Sequence, residues 1–436
     1  MSETIAFSKV HKRAAAIDIG ASKIYVSPDG EEVLVYETFT ADYRRCVADL
    51  QTYGIDQVCM EATGVYWIAL YDMLDSAGIK VCLVNPKEVK QVKGRKTDTK
   101  DCRWIQKVFS AGLVRESYVP TGKLREIRMM VRERQDIISM GSSYVNKLQK
   151  YLELMNIKLT GVLSQINGVS SIKMIEAIIA GERDAKKLLM LCSKSIIENK
   201  SEQVLKALEG NYNESTLFML EQTLKMWKLH EAQVLVIDKK IEELLNDLEQ
   251  GKPTIEAKSK PKAIRHHAPK IEDLHQKLIN IYGVDGNILS GINNYTMLRL
   301  LGEVGTDMSR FPSEKHFVSW LQLSPNLHQS GKGFRQVKIR AGSKAGQIFR
   351  EVAFGLLNSK DVAIGAFMRK LKSRKDSKTA IKAGARKLAL SFFYLLTKGG
   401  EYVEIGVKKY QELLMDREKK YLQNLAKKHN MIVTQP

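Results

Sequence analysis

Four acidic residues stand where a carboxylate on an apolar element needs a reason. Asp18 ends one apolar run in AAAIDIG, and Glu61 ends another in VCMEATG. Asp98 and Asp101 lie three apart in KTDTKD, and at helical spacing both side chains face the same way with Cβ atoms about 5–6 Å apart. Acids at the ends of neighbouring strands, joined by a pair on a helix, can converge on one point. Clustered anions repel in a low-dielectric cleft unless cations sit among them. Hard oxygen ligands suit Mg2+, which keeps several waters and is completed by substrate phosphate. Two such ions about 3.5–4 Å apart can clamp the attacking and leaving oxygens of an in-line displacement at phosphorus. Each acid alone has a plainer use: Asp18 before its turn can shape it, and Asp98 can cap the helix that follows.

The charge distribution points toward phosphate as well. The chain of 436 residues carries a net charge of +20, with 44% hydrophobic residues and 9 prolines, the balance of a folded protein with a polyanionic partner. Two blocks hold the surplus. Residues 86–150 contain 16 basic and 7 acidic positions, and residues 332–388 contain 16 basic and 3 acidic ones. Either block alone reads as a solvated helix face; two in one chain repel each other unless something neutralises them. Lys93, Arg95 and Lys96 in the first block, and Lys332, Arg335, Lys338, Arg340 and Lys344 in the second, are the candidates for nucleic-acid backbone. Cys46, Cys59, Cys82, Cys102 and Cys192 are odd in number and never form a CxxC pair. Reduced, mostly buried thiols are expected, and a zinc finger or disulfide scaffold is not. The longest apolar run, Leu388 to Leu396, is too short for a membrane span. With no export signal read near the N-terminus, a cytoplasmic, nucleoid-associated protein is expected.

The elements that must position the acids read as α/β. Strands are expected at Ala14–Ile19, Ile24–Ser27, Glu32–Tyr36, Val58–Met60 and Lys80–Val84, with helices around Cys46–Tyr53 and Trp67–Ala77. Three early strands, then strand and helix in alternation, suit an RNase H-like core; no GxGxxG follows the first strand, which disfavours a Rossmann domain. From Leu124 the period changes. Apolar residues fill 8 of 10 heptad positions from 124 to 155, with Arg134 and Gly141 as exceptions, and 8 of 10 from 217 to 248, with Glu231 and Asp238 as exceptions. The pair predicts a coiled-coil or helical arm and a means of oligomerisation. Gly251–Lys270 reads as a linker, with His266 and His267 solvated in it. Beyond Ile271 the chain is expected to be mainly helical, interrupted by a polar loop from Ser324 to Gly333. The fold class is therefore α/β plus α. The expected division is residues 1–122 for the RNase H-like domain, 123–270 for the arm with its linker, 271–405 for a helical domain and 406–436 for a charged terminal helix.

At this point the residues resemble a known family. AAIDIGASKIYV, MEATGVYW and LVNPKEVKQVKGRKTDTKDCRWI are similar, in that order, to the N-terminal DEDD domain of the bacterial insertion-sequence transposases of family one-ten. That family includes the pilin-gene invertases and the bridge-RNA-guided recombinases. The resemblance implies that Asp18, Glu61, Asp98 and Asp101 form a metal-binding RuvC-like tetrad. The C-terminal stretches TMLRLLGEVGTDMSRFPSEKHFVSWLQLSPN, HQSGKGFRQVKIRAGSKAGQIFREVAF and IKAGARKLALSFFYLLTKGGEY resemble the family's second, serine transposase domain. Residue for residue, the family's nucleophile then matches Ser330 in HQSGKG, with Ser324 and Ser343 as neighbours and Ser343 suited to capping a helix. One departure stands out: relatives carry a proline-glycine-hydrophobic-glycine turn where this chain has SGINNYT, with Asn293 in place of the second glycine.

The resemblance implies a transposase and site-specific recombinase that exchanges strands through a phosphoserine at a composite carboxylate and serine site. It further implies Mg2+, a structured noncoding bridge RNA as guide, double-stranded donor and target DNA, and a tetramer built from dimers. Three readings compete with it. A metal-dependent nuclease or junction resolvase would cut by hydrolysis and be indifferent to Ser330. A nucleic-acid-binding regulator would tolerate loss of the acids. An actin-fold phosphotransferase also opens on D-I-G but needs a second glycine-rich phosphate loop, which the sequence lacks.

Overall fold

The computed structural model describes residues 8–62, 64–84, 97–114, 116–120, 122–325, 327–330, 333–336, 342–359, 362–429 and 431; at 327–330, 333–336 and much of 402–418 it describes the backbone alone. Two compact units divide at Val119 and Pro120.

In the first unit, strands β1 (Ala14–Ile19), β2 (Lys23–Ser27), β3 (Leu34–Glu37), β4 (Gln57–Glu61) and β5 (Lys80–Val84) form one sheet in the order β3-β2-β1-β4-β5. The first three are antiparallel neighbours, whereas β4 runs parallel to β1 and β5 parallel to β4. Side chains alternate along β1. Ala15, Ile17 and Ile19 enter a core with helices α1 (Thr40–Thr52) and α2 (Trp67–Ser76), while Ala14 and Ala16 face helix α3 (Asp98–Ser110). The small alanines on that second face let α3 lie close. The expected strands are all present within two residues, and β1 and β5 have the expected bounds; α2 matches within one residue, whereas α1 begins six residues before its expected start.

Among the described residues, the second unit is helical except for one hairpin. The two heptad-patterned stretches are helices α4 (Gly122–Leu154) and α9 (Glu214–Glu249). They lie antiparallel within one chain, as Lys123 with Asp247, Arg134 with Asp238 and Gly141 beside His230 all show. The exceptions to the heptad pattern thus meet each other: fully buried Arg134 and Asp238 form an ion pair at 2.5 Å. At the far end, Leu148, Leu152, Leu220 and Leu224 pack with α5 (Leu159–Val162), α6 (Val169–Ile179), α7 (Ala185–Met190) and α8 (Lys194–Ala207). At the near end, Ile127, Val131, Ile241 and Leu245 join the core of α10 (Leu274–Tyr282), α11 (Asn294–Val304), α12 (Glu314–Trp320), α13 (Lys344–Leu356), α14 (Ala363–Arg374) and the first part of α15 (Ser377–Lys428). Helix α15 breaks at Gly399, where φ is 81°.

Residues 251–270 contain no helix or strand, yet they are tied down as a strap. Ser259 donates from its N–H and its hydroxyl to Asp285 at 2.7 Å, and Lys262 Nζ donates to the carbonyls of Leu289 and Ile292. His266 and His267 are exposed, as expected. All five cysteines are free and buried. Among the described residues no helix is long and apolar enough to cross a membrane.

Candidate active site

Asp18 and Glu61 owe their placement to parallel pairing. Ile17 sits opposite Met60 across β1 and β4, so the next residue pair in the register is Asp18 and Glu61, on strands about 4.8 Å apart. Both fall on the α3 side of the sheet. Ala14 and Ala16 precede Asp18 at alternate positions, and Cys59, in the same core as those alanines, precedes Glu61. Both are partly buried.

Helix α3 brings the other two acids to the same end. Gln106 Nε2 donates to the Ala14 carbonyl at 2.9 Å, and Cys102 Sγ donates to the carbonyls of Ala16 at 3.3 Å and Tyr25 at 3.0 Å. Four helical residues rise about 6 Å and two strand residues about 6.6 Å, so the helix runs down β1 two strand residues per turn. Continuing one turn toward the helix start sets Asp98 level with Asp18. Positions 98, 101, 102, 105 and 109 form one stripe, and Cys102, Ile105 and Phe109 of it are buried against the sheet. Asp101, partly buried, and Asp98, exposed, extend that stripe past the packed region. The helix cap is Thr97, whose hydroxyl accepts from Lys100 N at 3.4 Å, rather than Asp98. The acids occupy the first turn, where the helix dipole favours anions.

The four acids therefore share one face and one end of the first unit. Among the described residues, no three histidine, cysteine or acidic side chains stand close enough to grip an ion together. The donor chemistry still fits Mg2+, which asks for one or two carboxylates plus water and substrate phosphate rather than a closed cage of side chains. Cys102 is held buried between β1 and the acids, and its thiol is pushed up to about 12, chiefly by burial. A small, neutral, uncharged contact here lets α3 approach the sheet; nothing in the sequence pattern singles Cys102 out.

Ser330 lies in the second unit, where the structure differs from expectation. The stretch read as a polar loop is a two-stranded hairpin, β6 (Leu327–Ser330) and β7 (Gly333–Gln336), with Ser330 opposite Gly333. Only two residues, Gly331 and Lys332, join the strands, and a connection that short holds an antiparallel pair. Ser330 thus ends a strand at the hairpin's tip, and Arg335 lies on the returning strand. Lys93, Arg95, Lys96, Lys332, Lys338 and Arg340 lie outside the described residues, as do Asn85 and Pro86. Lys344 is exposed at the start of α13, and Ser343 caps that helix by accepting from Gly346 N at 3.3 Å.

The departure at the SGIN turn has a structural use. Gly291 has φ 76°, and a Cβ there would lie 2.8–2.9 Å from Leu356 and Val352. Asn293 caps α11, its Oδ1 accepting from Thr296 N at 2.9 Å. The position that is glycine in the family pattern is filled here by a residue that starts the next helix.

Two family models match the chain in order. One described as a DEDD transposase covers residues 15–157, and one described as the transposase IS116/IS110/IS902 family covers residues 288–350. Asp18, Glu61, Asp98 and Asp101 fall in the first match and Ser330 in the second. No curated protein matches the chain.

Proposed function

We infer, for a chain that belongs to the IS116/IS110/IS902 family of insertion-sequence transposases, that DNA strand exchange proceeds through a phosphoserine on Ser330 with the four acids as its metal-binding partners. The observation that carries this reading is the register of α3 on β1. It brings the first turn of the helix to the end of the sheet where Asp18 and Glu61 stand side by side. The strand order, with three antiparallel strands followed by two parallel ones, supports an RNase H-like, RuvC-like core.

In the proposed reaction the Ser330 oxygen forms a bond to a backbone phosphorus as the bond to one deoxyribose oxygen breaks. The serine proton ends on the released hydroxyl. Attack by a hydroxyl of the exchanged strand reverses the step, restores Ser330 and reseals DNA without a nucleotide cofactor. Asp18, Glu61, Asp98 and Asp101 would hold Mg2+, which when bound offsets the charge on the phosphoryl oxygens. Cations of the second basic block, Lys332, Arg335, Lys338, Arg340 and Lys344, hold the backbone and oppose the charge that builds on it. We further propose that a structured RNA supplies the choice of donor and target by base pairing, that the active species is a tetramer of paired dimers, and that the α4–α9 arm contributes to its assembly.

A second reading rests on one observation: all four acids belong to the first unit. A hydrolytic nuclease would need only those acids and water. The two are separated by incubating the protein with its element's flanking RNA, donor DNA and Mg2+, then looking for covalent protein–DNA adducts. An adduct lost in Ser330→Ala and in Asp18→Asn supports the serine route. Cut ends without an adduct, undiminished in Ser330→Ala, establish the hydrolytic one.

A further inference from the structure

Two partly buried cations of the second basic block, Arg350 and Lys382, repel each other. Arg350 lies two turns into α13, and its guanidinium folds back toward the helix start until it lies over Gly342, where a Cβ would be 3.1 Å from its Cζ. Lys382 lies on α15, which packs along α13, and is partly buried there. Burial, and then repulsion from Arg350, push the Lys382 ammonium below the usual lysine range, and burial lowers Arg350 as well.

Among the described residues, no carboxylate answers this pair. Glu351, the acid that bears on Arg350, is already paired with Arg299 at 2.6 Å. Arg350 Nε donates instead to the neutral Gln347 Oε1 at 2.9 Å. Several other described cations of the block are provided for, although Arg386 is also partly buried. Arg369 donates to the carbonyls of Leu357 and Ser359, Lys387 lies 4.6 Å over the Phe367 ring, and Lys370, Lys372, Arg374, Lys375 and Lys378 are exposed to water. Two half-buried like charges without a counterion disfavour the folded state unless an anion joins them.

We propose that Arg350 and Lys382 form a seat for one backbone phosphate of the DNA strand on which Ser330 acts. A guanidinium fork and an ammonium point charge together match a phosphodiester's two free oxygens. The assignment to that strand rests on the transposase reading and on chain continuity. From Gln336 at the end of β7 to Gly342 is six residue steps, at most about 20 Å of extended chain. Gly342, beneath the Arg350 guanidinium, therefore lies within about 20 Å of the root of the hairpin whose other strand ends in Ser330. The seat would anchor the backbone on the hairpin's side of the unit rather than contact the reaction itself.

The test uses the full chain and a duplex carrying the element's end, with binding measured from 50 to 200 mM salt. Removing one phosphate contact lowers the slope of log affinity against log salt by about 0.9, so the affinity lost over this range shrinks about 3.5-fold. Lys382→Gln and Arg350→Gln should each produce that change, and the double variant no more than either, because both serve one phosphate. Lys382→Arg should keep the wild-type slope. Without DNA, the neutral variants should melt at or above the wild-type temperature, since a repulsion is relieved. An unchanged slope, or a lowered melting temperature with no change of slope, overturns the seat. A slope change seen with single-stranded RNA but not with duplex assigns the pair to RNA and overturns the DNA assignment. A wild-type protein that binds no DNA refutes the transposase reading instead, so the two failures are distinct.

Discussion

Replacing Asp238 by alanine probes how the helical unit holds its long hairpin. Arg134 and Asp238 have side-chain exposures of 0% and 1% and meet through Nε–Oδ1 at 2.5 Å and Nη2–Oδ2 at 3.2 Å. Arg134 also donates to the His267 carbonyl at 3.0 Å, and Asp238 accepts from Lys270 N at 2.9 Å. The pair therefore ties both helices to the strap that crosses them. Arg134 Nη1 is buried without a hydrogen-bond partner, and its guanidinium lies 4.9 Å from the Tyr295 ring centre. Asp238→Ala strands a guanidinium that water cannot reach, a change worth about 3–5 kcal/mol. For a unit of about 320 residues, with unfolding entropy of about 2.1 cal/mol/K per residue, that corresponds to a fall in melting temperature of about 5–7 °C. The double variant Arg134→Leu, Asp238→Leu removes both charges and should recover most of the loss, leaving the cost of two unpaired backbone groups. Melting followed by circular dichroism at 222 nm measures all of these. A single variant within about 1 °C of wild type, or a double variant worse than both singles, would refute the argument that burial makes the pair costly to break.

The remaining expectations follow the same physics. Gly291→Ala puts a Cβ against Leu356 and Val352 at a left-handed φ of 76°, so it should cost about 2 kcal/mol or more in denaturant melts; no loss of stability would show that the turn relaxes freely. Asn293→Ala should cost about 1 kcal/mol and Asn293→Gly only a few tenths, the signature of a helix cap; equal losses would point to packing instead. Burial alone would raise Glu303, but the Arg132 hydrogen bond and the charges of Arg128, Arg132 and Lys344 bring it below its usual value of 4.5. A lowered folded-state pKa gives stability that is full above about pH 4.5 and lost as pH falls through the lowered value. Melting temperature should therefore drop below pH 4.5 more steeply in the wild type than in Glu303→Gln, and parallel acid limbs would sink the assignment.

The apolar runs AAAIDI and VCME were enough to place Asp18 and Glu61 at the ends of neighbouring strands, and the observed register puts both on one face because side chains alternate with a period of two. The i, i+3 spacing of Asp98 and Asp101 likewise specified a shared helix face. What spacing cannot supply is the meeting of the two pairs, because that depends on how close α3 comes to β1. Ala14, Ala16 and Cys102 decide it, and three small residues carry no chemical signal until they are seen packed together. The heptad exceptions show the converse. Arg134 and Asp238 looked like defects in two separate patterns, and each defect is explained only by the other across 104 residues of sequence. A polar residue at one core position costs stability, whereas two complementary ones also fix which turn of α4 meets which turn of α9. Arg350 and Lys382 are indistinct in the sequence for a related reason. In sequence they are 2 of 16 basic residues in a block, and only the packing of α13 on α15 removes water and counter-charge from these two. Charge counting finds the block that faces a polyanion; burial finds the positions in it where a phosphate has the most to neutralise.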